Sequence, residues 1–248
     1  GTINVSATAT DAAGNSSAAG TSSFLLDRSA PAAPVLALGT GVAAGATAAE
    51  ATQASGVVSV QADSGTSVRV VFSRGTATVS KTLNATGASQ PVVLSSADLS
   101  TLGDGTINVS ATATDAAGNS SAAGTSSFLL DRSAPAAPVL ALGTGVTAGA
   151  TAAEATQASG VITVRAEAGS SVAVVFSNGT AAVSKTLNAT GASQAVVLSS
   201  DELTTLGDGT INVSATATDA AGNRSAAASS SFLLDRSAPA APVLALGT

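Results

Sequence analysis

The chain has 248 residues, of which 10% are charged, with a formal net charge of −6 and no Cys, Met, Trp, Tyr or His. That length suits one to three domains. The acidic, cysteine-free composition excludes a phosphate-neutralising face and a disulfide framework, and no apolar run approaches the ~20 residues that span a bilayer.

The phrase GTINVSATATDAAGN begins at Gly1, Gly105 and Gly209, so the chain repeats every 104 residues. Residues 1–40 recur unchanged at 105–144, and residues 32–135 and 136–239 differ at 17 positions without insertion or deletion. A period this long is a whole domain rather than one turn of a solenoid. The proline pair in DRSAPAAP marks the junction. The expected division is residues 1–31 as the last two strands of a preceding repeat, full repeats at 32–135 and 136–239, and residues 240–248 as the first strand of a following one. The phrase GTINVS at the start reads as the middle of a longer array.

Alternation of period two dominates each repeat. In chain order, the first repeat predicts a strand at 34–38 (PVLAL), then an Ala-rich loop at 39–56 in which TAAEATQA makes a helical turn. Strands follow at 57–63, 67–73, 76–83, 91–95, 105–114 and 126–131. Gly, Asn and Asp in DSGT, SRGT, NATGAS, GDGT and DAAGN separate them. Ile107, Val109, Ala111 and Ala113 share one face of their strand, and Val68, Val70 and Phe72 share one face of theirs. Seven short antiparallel strands in about 100 residues predict an all-β fold: tandem immunoglobulin-like sandwiches in an extended array.

The acids sit at turns. Alternating strand direction sends Glu50, Asp104 and Asp131 to one pole of the first repeat and Asp115 to the other. At the junction between repeats they would face Asp219, Asn223 and Glu167 of the next. Converging carboxylates repel unless a cation joins them, and Ca²⁺ suits them because it accepts six to eight oxygens in flexible geometry. The competing reading is local turn chemistry, in which each Asp caps its own loop.

The words ATDAAGN, LLDRSAPAAPVL and AEATQASGVVSV resemble the bacterial Ig-like repeats of giant biofilm-associated surface adhesins. The resemblance covers the whole 104-residue period. It implies secretion, an extended stalk and, in many members, Ca²⁺ at domain junctions. By motif, Asp11, Asp115 and Asp219 match the TDAAGN acid, Asp27, Asp131 and Asp235 the junction acid, and Glu50 and Glu154 the AEA acid. Asp104 and Asp208 stand beside them in GDGT. Here Arg replaces the Thr that commonly follows the junction acid, placing a guanidinium beside any metal.

A catalytic constellation lacks parts: there is no His or Cys, and Lys81 and Lys185 lie on predicted strands, where an edge-blunting role outweighs isopeptide formation with an Asn. The sequons at Asn84 and Asn108 are expected by chance in so Ser/Thr-rich a chain. The expected function is a stalk segment of a secreted or cell-surface bacterial adhesin, extending a binding tip in adhesion or biofilm formation. Its partners would be neighbouring repeats of the same chain. The alternatives are a self-assembling extracellular filament, in which end strands pair between copies, and a loop-based ligand-binding module. The absence of aromatics from the predicted loops speaks against glycan stacking.

Overall fold

A computed structural model describes residues 1–243. The predicted strand at 240–248 therefore falls largely outside the described residues. The chain forms two compact units, Gly1–Asp131 and Arg132–Thr248.

The first unit opens with a two-stranded antiparallel hairpin, β1 (Thr2–Ala7) and β2 (Gly20–Leu25). A seven-stranded repeat follows. Its elements are β3 (Val35–Leu38), α1 (Ala48–Thr52), β4 (Val58–Gln61), β5 (Ser67–Arg74), β6 (Ala77–Asn84), β7 (Gln90–Val92), α2 (Ser96–Leu102), β8 (Gly105–Thr114) and β9 (Gly124–Leu130). They form two sheets, β3-β4-β7 and β6-β5-β8-β9. The second unit repeats this with β10 (Val139–Leu142), α3 (Ala152–Thr156), β11 (Ile162–Arg165), β12 (Ser171–Ser177), β13 (Ala182–Asn188), β14 (Gln194–Val196), α4 (Ser200–Leu206), β15 (Gly209–Thr218) and β16 (Ala228–Leu234). Its sheets are β10-β11-β14 and β13-β12-β15-β16. Each repeat is thus an immunoglobulin-like sandwich of three and four antiparallel strands.

The alternating faces meet as the pattern requires. Ile107, Val109, Ala111 and Ala113 are all buried, and they share one core with Val58, Val60, Val68, Val70 and Phe72. Phe72 and Phe128 meet edge to face with centroids 6.5 Å apart, as do Phe176 and Phe232. With so few aromatics, Val, Leu and Ala fill the remaining volume.

One expected strand is shorter than its pattern. The 91–95 strand ends at Val92, and the next residues form a two-turn helix, α2. Ser95 caps it by accepting from the Asp98 N–H at 3.2 Å, and the Asp98 carboxylate accepts from Ser95 N at 2.7 Å. Leu94 and Leu99, both buried, stand where a hydrophobic staple would. The S-x-x-D spacing carried this signal. The helical turn expected in TAAEATQA is present as the short helix α1, capped by Thr47 and Glu50, which exchange the same pair of bonds.

Chain entry and exit lie at opposite poles of each repeat. Leu130, at the end of β9, pairs with Gly105, whereas Thr114, at the far end of β8, pairs with Ser67. Val35 pairs with Gln61, just ahead of Ser67, so β3 starts at the Thr114 pole. Among the described residues no helix is long and apolar enough to cross a membrane.

Candidate functional site: the acidic turns and the linker

The three TDAAGN turns are built alike. Asp115 Oδ1 accepts from Ala117 N at 2.9 Å and Asn119 N at 2.8 Å, and Oδ2 accepts from Asn119 Nδ2 at 2.9 Å. Asp11 does the same with Ala13 and Asn15. Asp219 does so with Gly222 and Asn223. The side-chain amides of Asn15 and Asn119, joined by main-chain N–H groups, hold Asp11 and Asp115 below the ordinary carboxylate range. These aspartates therefore shape their own loops.

Within the first unit the structure brings Asp27 and Asp115 to one cleft, lined also by Leu25, Ser64, Gly65 and Thr66. Asn119 Nδ2 reaches across it to the Asp27 main-chain oxygen at 3.3 Å. Asp27 Oδ1 accepts from Ser29 N at 3.0 Å. Asp63, at the position whose second-repeat counterpart was expected at the junction, holds the linker: its Oδ2 accepts from Ala32 N at 3.0 Å. Its counterpart in the second repeat is Glu167, which keeps the carboxylate.

At the opposite pole, Ala46 N donates to Leu129 O at 2.7 Å and Asp131 N to Ala46 O at 3.0 Å. This places the 39–56 loop beside the exit of β9. Glu50 lies at that pole, but its Oε2 accepts from Thr47 N and Oγ1 at 3.0 Å. Asp104, half-buried, is there too, between α2 and β8. In the second unit Glu154 caps α3 through Thr151, whose hydrogen bonds lower its pKa. Asp235 Oδ1 accepts from Ser237 N at 3.0 Å. Asp208 accepts from Arg236 Nε at 2.6 Å, and this partner holds its carboxyl below the usual range. The Arg that follows the junction acid thus has a carboxylate partner of its own in that repeat.

The oxygen donors are of the kind calcium prefers, but their number is short. Among the described residues no three acidic side chains gather into a metal-holding group. The Asp27–Asp115 cleft offers two carboxylates, and both already accept main-chain N–H groups.

Lys81 Nζ meets Asp98 Oδ2 at 2.6 Å, and Lys185 meets Glu202 Oε1 at 2.6 Å. This pair ties edge strand β6 to the cap of α2. Partial burial pushes the Asp98 carboxyl up, and the Lys81 ammonium and the Ser95 hydrogen bonds more than offset it. A depressed carboxyl pKa contributes stability above its unfolded value, and the contribution is lost as pH falls through the folded value. Asp98→Asn is expected to cost about 1 kcal/mol at pH 7, since half-exposed pairs and caps are each worth that order. The difference from the parent chain should close below the ordinary carboxylate pKa of about 3.9. Urea unfolding at pH 7 and pH 3 checks this, and a gap that does not change with pH would refute it.

The non-conservative Arg74/Asn178 exchange also has a structural account. Arg74 Nε donates to Leu102 O at 2.5 Å, and Asn178 Nδ2 donates to Leu206 O at 2.5 Å. Two different side chains therefore satisfy the same carbonyl at the end of α2 and of α4.

No protein-family model and no curated protein matches the chain. Solved structures do. A tetra-tandem repeat from the extending region of a large adhesion protein is 23% identical, with a TM-score of 0.34, covering 95% of this chain and 57% of that one. A 1.5-MDa bacterial ice-binding adhesin is 27% identical, with a TM-score of 0.35, covering 75% and 60%. A domain of a biofilm-associated protein is 20% identical, with a TM-score of 0.27, covering 73% and 28%. The chain spans less than two thirds of each of these structures. They are repeats and domains of the kind the sequence resembles, while the fold assignment rests on the strand order described above.

Proposed function

We propose that the chain is a stalk segment of a secreted or cell-surface bacterial adhesin, whose work is to span distance. The observation that carries this reading is the opposite-pole entry and exit of a repeated sandwich. A domain threaded this way adds length with each copy. The contacts of Asp63 and Asn119 with the linker support it, since they restrict the segment on which one repeat would swing relative to the next. The fixed φ of Pro31 and Pro34 acts in the same direction. The catalytic machinery of an enzyme finds no support in these turns, whose carboxylates are spent on loop hydrogen bonds.

Calcium belongs to the proposal as a weak ligand of the Asp27–Asp115 cleft, with main-chain carbonyls completing its shell. So few carboxylates suit the weak end of calcium affinities, about 10⁻⁴–10⁻³ M. Small-angle scattering on chains of two, four and six repeats tests the stalk. Each repeat is expected to add about 40 Å, from strands and linker at roughly 3.3 Å per residue. Lengths that stop growing with repeat number would overturn the reading. The same samples in millimolar calcium and in chelator test the metal: calcium should stiffen the rod and raise its melting temperature, and identical curves would remove calcium from the proposal.

A further inference from the structure

The Arg74/Asn178 exchange changes the chemistry of its turn as well as the donor. Asn178 is followed by Gly179, and this is the one Asn-Gly step in the chain. The first repeat has Arg74 and Gly75 at the same place. Glycine leaves the nitrogen after an asparagine unshielded, so Asn-Gly is the step that most readily closes to a succinimide. In the second repeat that nitrogen and the whole Asn178 amide are engaged. Asn178 Oδ1 accepts from Thr180 N at 2.9 Å, Thr180 Oγ1 at 3.0 Å and Ala181 N at 2.7 Å. Its Nδ2 donates to Leu206 O at 2.5 Å, and Gly179 N donates to Ser177 Oγ at 3.1 Å.

We infer that Asn178 is a modification site armed by unfolding: closed in the folded repeat, and converted irreversibly to aspartate or isoaspartate once the β12–β13 turn opens. The reaction joins Gly179 N to Asn178 Cγ. The N–H proton passes to water or hydroxide, the Cγ–Nδ2 bond breaks, and Nδ2 leaves as ammonia with a proton from solvent. Water then opens the succinimide at either carbonyl. One water is consumed, one ammonia is released, and nothing is oxidised or reduced. Four hydrogen bonds fix the amide plane, and a fifth aims the Gly179 N–H at Ser177 rather than at a solvent base. The amide therefore cannot turn onto Gly179 N until local opening releases them. The product does not fit the same seat. A carboxylate oxygen in the place of Nδ2 stands against Leu206 O, acceptor facing acceptor. Isoaspartate also adds a main-chain carbon between the paired strands β12 and β13. The second repeat thus keeps a record of having opened, and the first, with Arg74, does not. The inference needs only this turn and not the stalk role, so either can fail alone.

The test keeps the intact chain in mildly alkaline buffer, folded or unfolded in urea, in water labelled with heavy oxygen, and maps its peptides by mass spectrometry. Asn178 is expected to take up label about 100-fold or more slowly in the folded chain than in the unfolded one. The Asn-Ala steps at Asn84 and Asn188 are slow references within the unfolded chain. After urea is removed, the modified chains should refold with the melting of the second repeat lowered by about 5 °C and that of the first unchanged. Asn178→Asp, made directly, should show the same lowered melting. Equal labelling rates in folded and unfolded chains overturn the proposal. A modified second repeat that melts with the unmodified one overturns it too. Should Asn178→Asp fail to fold, the rate comparison on the unaltered chain decides.

Discussion

Phe72→Ala is expected to destabilise the first repeat by about 3–5 kcal/mol, the cost of deleting a fully buried aromatic ring from a packed core. Phe72 is 0% exposed and its ring meets Phe128 edge to face. The rest of that core is aliphatic, with Ala46, Ala51, Ala85, Ala111 and Ala113 among its members. Small side chains on β-strands have few rotamers with which to collapse into the space, so most of the cavity should persist. A loss of this size is a large part of the stability of a 100-residue domain. Calorimetry or urea unfolding should show a low-temperature transition for the altered repeat, with the transition of the Phe176 repeat as internal reference. A loss below 1 kcal/mol would mean that the core is not organised around this ring.

The second large effect comes from a residue with no side chain. Gly39→Ala should cost about 2–3 kcal/mol, at the upper end for overpacking, because the clash is with backbone. A Cβ there would stand 2.2 Å from Gly56 O and 3.2 Å from Val57 O, and one added at Gly143 in the second repeat would stand 2.1 Å from Gly160 O. The approach is fixed by the hydrogen bond from Gly39 N to Val57 O at 2.9 Å, which extends the β3–β4 ladder. Gly65→Ala is the useful comparison. Gly65 has φ +84 and no atom within 4 Å of the added carbon, so it should pay only the left-handed backbone cost of about 1–2 kcal/mol. Equal losses at the two positions, measured by urea unfolding, would contradict the close-approach argument.

Much of the fold was legible in residue pattern. Period-two alternation located all seven strands and assigned Ile107, Val109, Val68, Val70 and Phe72 to the interior, where they are found. The helix at Ser96–Leu102 was legible as well, through Ser95, Asp98 and the leucines around them, but the apolar run through Leu94 extends the expected strand to residue 95 and leaves the helix unannounced by alternation. The site was less legible. An Asp in a turn can cap its loop, bind a metal or meet a neighbour, and these uses share one local sequence. Asp115 is shaped by Asn119, four residues on, so the pair was visible as a motif while its choice among those uses was not.

What the sequence determined alone was everything set by neighbours along the chain: the 104-residue period, the strand faces and the turn positions. Those properties follow from backbone sterics and from the side-chain period of a strand, which need no distant partner. Tertiary structure decided which strands share a sheet, sending β6 to β5 rather than to β7. It also decided that Asp63 reaches Ala32 and that Lys81 reaches Asp98. Each of these depends on groups far apart in sequence.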